Sequence, residues 1–211
     1  MRILGIDPGS RLLGYGCIDQ VGHQIQHVTH GTLKLLSPSR SNSLDERLLE
    51  IYKGLSQIIE EYRPQMMSIE KVFFAKNAVS ALKLGQARGA AILTGKIHSL
   101  QIVEYSPTEV KQAVVGYGRA DKDQVAKMIQ LLVGAKQFET SDASDALALA
   151  ICHVQMSRFQ GVGDVKDPQR VGYQQLAAFH RQPARRAGRS LSDLVEMQAN
   201  QKSREKREKK V

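Results

Sequence analysis

The sequence predicts an α/β domain built on a mixed five-stranded sheet, followed by a basic tail. Three observations lead to this prediction. Short apolar runs separated by glycine-rich turns fill the first 35 residues, which is typical of consecutive antiparallel strands. Apolar residues then recur at helical spacing in segments that alternate with further short apolar runs, which is typical of helices joined to parallel strands. This periodicity fades after Met156, where polar and turn-forming residues dominate.

The strands of the antiparallel part come first, and a helix follows them. We predict strands at Arg2–Asp7, at Gly14–Asp19 and at about residues 26–35, with a break at Ser37-Pro38-Ser39. Leucines and isoleucines from Leu44 to Ile59 then repeat at helical spacing. This helix is expected to stop at Arg63-Pro64, because proline does not continue a helix.

The remaining elements alternate between strand and helix before the chain becomes helical. They are predicted to be, in order, a strand at Met66–Val72, a helix from Asn77 to about Leu100, a strand at Gln101–Tyr105, and helices near 108–115, 121–133 and 141–153. The helix from Asn77 to Leu100 is apolar or small on almost every side, which requires burial on every side. Its outer face is predicted either to pack on a second copy of the chain or to lie within one larger core.

The charge of the chain indicates a polyanionic partner. The 211 residues carry a net charge of +9. Most of the excess lies in residues 157–211, where 13 Lys and Arg face 6 Asp and Glu. We therefore predict a folded domain at 1–156 and a basic, mostly disordered tail at 157–211, with a short helix around 190–201 as an alternative for part of the tail.

The composition also argues against several classes of protein. Cys17 and Cys152 lie far apart in apolar surroundings, which predicts two buried, reduced thiols. The six histidines have no tight ligand spacing, so a zinc site is not expected. No apolar run is long enough for a membrane span, and Asp7 and Arg11 interrupt the first apolar segment, which argues against a signal peptide. We expect a cytoplasmic protein with no membrane partner.

Two acids are presented at the ends of predicted strands. Asp7 ends an apolar run and is followed by Pro8-Gly9, a turn that stops the strand. In this position the acid can hold a metal ion, line a phosphate-binding turn, or cap the turn. Glu70 follows the next parallel strand in the same way. If the two strands are neighbours, both acids lie at the carboxyl edge of the sheet, where α/β proteins place their sites.

Two further acids, Asp142 and Asp145, lie three residues apart at the start of the last predicted helix, hence on one face. The alternative is that Ser141 or Asp142 caps the helix. Four carboxylates gathered together would repel one another, since a single pair at ~4 Å costs about 4 kcal/mol at an effective dielectric of 20. No Lys or Arg adjoins the Asp142–Asp145 pair in the sequence. Divalent cations would relieve the repulsion, and oxygen-only ligands select Mg²⁺ or Mn²⁺.

Four stretches occurring in order identify a family. They are GIDPGSRLLGYG, IEKVFFAKNAVSALKLGQARGA, VKQAVVGYGRADKDQV and SDASDALALA. Over roughly residues 1–156 the chain closely resembles the RuvC family of bacterial Holliday-junction resolvases. The resemblance implies a ribonuclease-H-like fold with helices on both faces of the sheet. It also implies a homodimeric, metal-dependent endonuclease that cuts two opposed strands of a four-way DNA junction symmetrically in recombination and DNA repair.

The resemblance also assigns cofactors, partners and site residues. It implies two Mg²⁺ ions per active site, with Mn²⁺ able to substitute, and a branch-migration motor complex of the RuvA and RuvB type as partner. The matching positions are Asp7, Glu70, Asp142 and Asp145 as catalytic metal ligands, Phe73 as the aromatic residue that meets unpaired bases, and Lys111 and Lys122 as DNA contacts beside the scissile phosphate.

Physical reasoning supports a catalytic role for Lys122 as well. Asp121 and Gln124 can form a capping box, which would place Lys122 in the first turn of a helix. A cation there opposes the helix macrodipole, and such a local conflict is often functional. The alternatives are a solvated surface lysine and, for Phe73, a core side chain. Gly116-Tyr117-Gly118 fits either a DNA-contacting loop or a plain turn between helices.

Two rival function classes compete with this interpretation. A sugar-kinase or actin-like ATPase also places a phosphate-binding turn after a strand that ends in Asp, but that fold needs two such lobes, which 156 residues do not supply. A non-catalytic nucleic-acid-binding protein of the same fold is the alternative. The presence of all four acids argues against it.

Overall fold

The structure is a computed structural model that describes residues 1–35, 43–71, 78–134, 138 and 140–160. These residues all belong to Met1–Gly172, the first of the two units into which the chain divides. The elements are, in chain order, β1 (Arg2–Asp7), β2 (Leu12–Val21), β3 (Gln24–Lys34), α1 (Leu44–Tyr62), β4 (Met66–Glu70), α2 (Ala78–Ile97), β5 (Gln101–Tyr105), α3 (Pro107–Val115), α4 (Lys122–Val133) and α5 (Ser141–Gln160).

The five strands form one mixed sheet in the order β3-β2-β1-β4-β5. Strand β2 pairs antiparallel with both β1 and β3, whereas β1, β4 and β5 run parallel to one another. The predicted mixed five-stranded sheet is therefore confirmed. The two hairpin strands are longer than predicted, and α5 continues to Gln160 rather than ending near residue 153. Helix α5 thus includes residues 157–160, the first four residues of the predicted tail. The rest of that tail, its alternative helix at 190–201 and the residues Val72 and Asn77 lie outside the described residues.

Helices cover both faces of the sheet, because side chains of a strand alternate between its faces. On one face Leu4 and Ile6 of β1 join a buried cluster with residues of α1 and α2, including Ile51, Leu55 and Ala91. On the opposite face α5 lies against the sheet. Ser68 of β4 points to that side and donates its hydroxyl hydrogen to the Leu149 carbonyl at 2.8 Å. Glu70 lies two residues after Ser68 and therefore points to the α5 face. Asp7 follows Ile6, which points to the opposite face, so Asp7 also belongs to the α5 face.

Local signals fix the ends of the helices. Arg63 ends α1 in the left-handed conformation with φ of 48°, directly before Pro64. Helix α3 begins with a capping box between Ser106 and Glu109, and α4 begins with the predicted capping box between Asp121 and Gln124. The Asp121 box therefore places Lys122 in the first helical turn, as expected.

Both cysteines are buried and free, as predicted. None of the described helices is long and apolar enough to cross a membrane.

Candidate active site

The first two acids lie at the ends of adjacent parallel strands. Strands β1 and β4 pair in a register that puts Ile6 opposite Ile69. The next residues along the two strands are Asp7 and Glu70, so the register carries both carboxylates to the same edge of the sheet. This juxtaposition is the one that the sequence predicted for neighbouring strands.

Helix α5 brings the other two acids to this edge by approaching the sheet unusually closely. The approach is possible because β1 and β2 present glycine to the helix at Gly5, Gly14 and Gly16. A Cβ atom added to Gly5 would lie 1.9 Å from the carbonyl oxygen of Ala146, so a side chain there would collide with the helix backbone. Sequence reasoning missed the role of these glycines. The alternation of Gly14 and Gly16 on one face of a strand, opposite an alanine-rich helix, is the signal that would have revealed it.

The start of α5 is fixed by Thr140, a residue that sequence reasoning did not single out. Its Oγ1 accepts a hydrogen bond from the Ala143 backbone N–H at 3.3 Å. The same oxygen lies 2.5 Å from Oγ1 of Thr32 on β3, which ties the helix start to the sheet edge. The predicted alternative, in which Ser141 or Asp142 caps the helix, gives way to capping by Thr140. Asp142 is then available to the cleft.

The four acids line one open cleft with a volume of about 240 Å³. Lys111 of α3 and Lys122 of α4 line the same cleft, so six of the seven predicted site residues are brought together. The remaining wall is largely apolar and consists of Pro107, Val110, Val125, Ala148 and Leu149. Phe73, the seventh predicted residue, lies outside the described residues.

The carboxylates of the cleft perturb one another. Burial, followed by the charges of Glu70, Asp145 and Asp142, raises the pKa of Asp7 to about 7. Burial and the charge of Asp145 also raise the pKa of Glu70. Like charges disfavour ionisation of their neighbours, so these shifts indicate a site with more negative charge than the protein alone compensates.

A cation offsets part of this charge, although no Lys or Arg adjoins the acidic pair in the sequence. Lys122 Nζ lies 3.4 Å from Oδ2 of Asp145, although the two residues are far apart in the sequence. The charge of Asp145 is the main cause that raises the pKa of Lys122. In return Lys122 lowers the pKa of both Asp7 and Glu70. The contact arises only because α4 packs beside α5.

The donor set fits a hard divalent cation. Four carboxylates line the cleft, the described residues that line it include no histidine or thiol, and Mg²⁺ and Mn²⁺ prefer such oxygen ligands. Burial is the largest cause of the raised pKa of Asp7, and a bound cation would offset the further contribution from the neighbouring carboxylates. Among the described side chains, however, no three acids, histidines or cysteines already converge on one ion-sized point.

Comparison with known proteins gives one consistent result. A family described as crossover junction endodeoxyribonuclease RuvC matches residues 3–153. A protein of that name from Geobacter sulfurreducens is 52% identical over 162 residues, which cover 77% of this chain and 97% of the relative. One from Shewanella piezotolerans is 52% identical over 151 residues, covering 72% of this chain and 85% of the relative.

A solved structure agrees with the sequence matches. The chain is similar to T. thermophilus RuvC in complex with Holliday junction substrate, with a TM-score of 0.70 and 31% identity, covering 76% of this chain and 96% of that chain. The ribonuclease-H-like fold expected from the resemblance is confirmed by this likeness.

Proposed function

Because this chain belongs to the RuvC family of crossover junction endodeoxyribonucleases and is a Holliday-junction resolvase, we propose that Asp7, Glu70, Asp142 and Asp145 form its catalytic centre. The observation that carries the proposal is the meeting of all four carboxylates with Lys111 and Lys122 in one open cleft. The chain is thus an endodeoxyribonuclease of recombination and repair, and the cleft is where the scissile phosphate is expected to lie.

The four carboxylates are proposed to hold two Mg²⁺ ions, with Mn²⁺ able to replace them. Members of this family are divalent-metal-dependent nucleases. Bound there, such ions would supply activation of the attacking water and stabilisation of the leaving oxygen. Asp7 is partly protonated at neutral pH in the metal-free protein and must lose that proton before it can act as a ligand. The repulsion stored among the acids favours occupancy, because cations remove it.

Lys122 and Lys111 are proposed to hold the phosphodiester within the cleft. Lys122 contacts Asp145 and is 76% exposed at its side chain, so its ammonium can reach a phosphate without leaving the site. As negative charge develops on the phosphate in the transition state, a cation held in the cleft stabilises that charge. Lys111 lies on α3, with its side chain lining the same cleft. Its proposed role is to position the strand.

A homodimer is proposed to supply two such sites, because paired cutting of opposed strands needs two centres related by a two-fold axis. The outward face of α2 supports this assembly. Leu82, Leu93 and Ile97 are 66%, 61% and 56% exposed in the single chain. Among the described residues, a Cβ atom added to Gly85 or Gly89 would meet nothing within 4 Å, which leaves room for another helix.

The other proposals rest on family membership and composition. Phe73 is proposed to meet unpaired bases at the junction centre, and a motor complex of the RuvA and RuvB type is proposed as a partner. We propose a nuclease domain at 1–156, supported by a family match that ends at residue 153, and a basic tail at 157–211 that adds phosphate contacts. Residues 157–160 of that tail form the end of α5. A cytoplasmic location is proposed from the DNA substrate and the two free cysteines.

The direct test is cleavage of a synthetic four-way junction by the purified protein. We expect paired, symmetric cuts with Mg²⁺ or Mn²⁺ and none in EDTA, while a linear duplex of the same sequence stays intact. Asp7→Asn, Glu70→Gln, Asp142→Asn and Asp145→Asn should each abolish cutting but retain junction binding. Full activity in EDTA or in any one of these variants would reject the proposed centre.

A further inference from the structure

Arg88 of α2 holds the backbone of Glu70 from the face of the sheet opposite α5. Its Nε donates a hydrogen bond to the Glu70 carbonyl oxygen at 2.9 Å. Its terminal nitrogen also forms an ion pair of 2.7 Å with Glu104 Oε2 on β5, and the Arg88 side chain is only 19% exposed. We propose that Arg88 is a positioning residue that fixes Glu70 for metal binding, an inference that rests on the proposed catalytic centre.

The position of Glu70 explains why an additional support is needed. Pairing between β1 and β4 ends at Ile6 and Ile69, so the described ladder gives Glu70 no partner on the β1 side. On its other side Glu70 pairs with Tyr105, and the Lys71 N–H donates to the Tyr105 carbonyl at 2.8 Å. Glu70 is thus the last residue of a strand held along one edge. Arg88 contributes the contact from a separate element.

The chemistry of arginine suits this task. A guanidinium presents several donors in a rigid plane. Once one acceptor binds some of these donors, the direction of the remaining donors toward a second acceptor is fixed. Glu104 serves as that first acceptor and also balances the charge. The Glu104–Arg88–Glu70 chain therefore connects the ends of β4 and β5 to α2. A ligand group must be held to within about 0.5 Å of its working position, and backbone anchoring of this kind provides such precision.

The inference is tested by separating metal binding from folding and from DNA binding. We expect Arg88→Gln to weaken Mn²⁺ binding to the DNA-free protein about tenfold by calorimetric titration. It should also raise the Mg²⁺ concentration needed for half-maximal single-turnover cleavage by a similar factor. Junction affinity in Ca²⁺ should stay within twofold of the parent. Arg88→Lys, which keeps the charge and one donor, should recover part of the metal affinity.

Two controls make the outcome decisive. Lys96→Gln removes a charge from an exposed position in the last turn of the same helix and should change none of these quantities. Glu104→Gln keeps Arg88 but removes its ionic partner, and should weaken metal binding less than Arg88→Gln does. Unchanged Mn²⁺ affinity in both Arg88 variants would overturn the inference, even if their thermal stability fell. Glu70→Gln is measured alongside: full activity there would instead reject the proposed catalytic centre itself.

Discussion

Gly14 and Asp142 are in backbone contact, and that contact sets the depth at which α5 lies on the sheet. A Cβ atom on Gly14 would lie 2.1 Å from the Asp142 carbonyl oxygen. Gly14 also pairs with Asp7 across the β1–β2 ladder. One glycine therefore stands between two proposed ligands that come from opposite ends of the domain. The separation of these two acids is set by the absence of a side chain between them.

Gly14→Ala should push the start of α5 away from β1 and misplace Asp142. We expect cleavage to fall about 100-fold, since a shift near 1 Å in an active site has that effect. Overpacking should lower the free energy of unfolding by about 1–3 kcal/mol. Gly54→Ala in α1 is the matched control. Its Cβ would crowd the side chain of Leu33, which is not among the residues that line the cleft. Equal losses of activity in the two variants would show that instability alone is responsible.

Asp7→Asn should stabilise the metal-free protein at pH 8. The folded pKa of Asp7, about 7, lies above its ordinary value of 3.8, so the native state binds the extra proton. The ionised Asp7 therefore lowers the free energy of unfolding. This loss is absent below about pH 4, grows as pH rises, and is complete above pH 7, where a difference of about three in pKa corresponds to about 4 kcal/mol. We expect the variant to exceed the parent in thermal unfolding at pH 8 and to match it at pH 4.

Two further measurements complete this test: unfolding with added Mg²⁺, and unfolding of a variant changed at the protein surface. Adding Mg²⁺ at pH 8 should favour the parent, because only the parent keeps the full ligand set and gains stability from binding to the native state. Glu61→Gln, an exposed position on α1, should show no difference at either pH. A parent that is more stable than Asp7→Asn at pH 8 without metal would contradict the proposed cost of ionising Asp7, which comes from its burial and from the neighbouring carboxylates.

Lys122→Gln should slow cleavage and shift its pH dependence toward alkaline pH. Lys122 lowers the pKa of Asp7 and of Glu70, so its removal raises both and delays the loss of their protons as pH increases. The acid limb of the single-turnover rate profile should thus move to higher pH, and the plateau should fall about 10²–10³-fold. Lys127→Gln, an exposed position on the same helix, should leave the profile unchanged. If the plateau rate falls but the acid limb of the profile does not shift, Lys122 acts on the transition state and not on the pKa values of Asp7 and Glu70.

Local sequence patterns were sufficient for much of the fold. The bounds of β1 and β5 followed from short apolar runs between turn residues, and the Asp121 capping box followed from spacing alone. The extra length of α5 could not be predicted from local patterns, because beyond His153 the helix is held by contacts with residues distant in sequence. Arg158, for example, donates to the His23 carbonyl at 2.6 Å.

The site was predictable to the extent that acids mark the ends of elements. Asp7 and Glu70 could be paired from strand order, since the register of two parallel strands follows from their apolar runs. The contact between Lys122 and Asp145 and the hydrogen bond from Arg88 to Glu70 depend on how separate helices pack. Such tertiary contacts have no short-range signature in a single sequence. The family resemblance named Lys122 without revealing that it pairs with Asp145.

Leu82→Asp combined with Leu93→Asp should dissociate the proposed dimer. Both leucines lie on the exposed face of α2, and a charge there would be buried without a partner if two chains pack together. Light scattering at micromolar concentration should give the mass of one chain for the variant and of two for the parent. Paired cutting should be lost. Leu131→Asp, which changes a leucine of α4 with 53% exposure, should remain dimeric. A monomeric parent that still makes paired cuts would exclude this assembly.

Truncation after Gln160 should reduce the salt dependence of DNA binding without changing its selectivity. The cut belongs there rather than at residue 157, because α5 runs to Gln160 and Met156 is buried. For each phosphate that the shortened protein leaves unneutralised, the slope of log affinity against log salt should become shallower by about 0.9. The preference for a four-way junction over linear duplex should persist, since the cleft and α2 are intact. If the truncated protein binds both DNAs equally, residues beyond 160 recognise junction structure, and the proposed division between domain and tail is wrong.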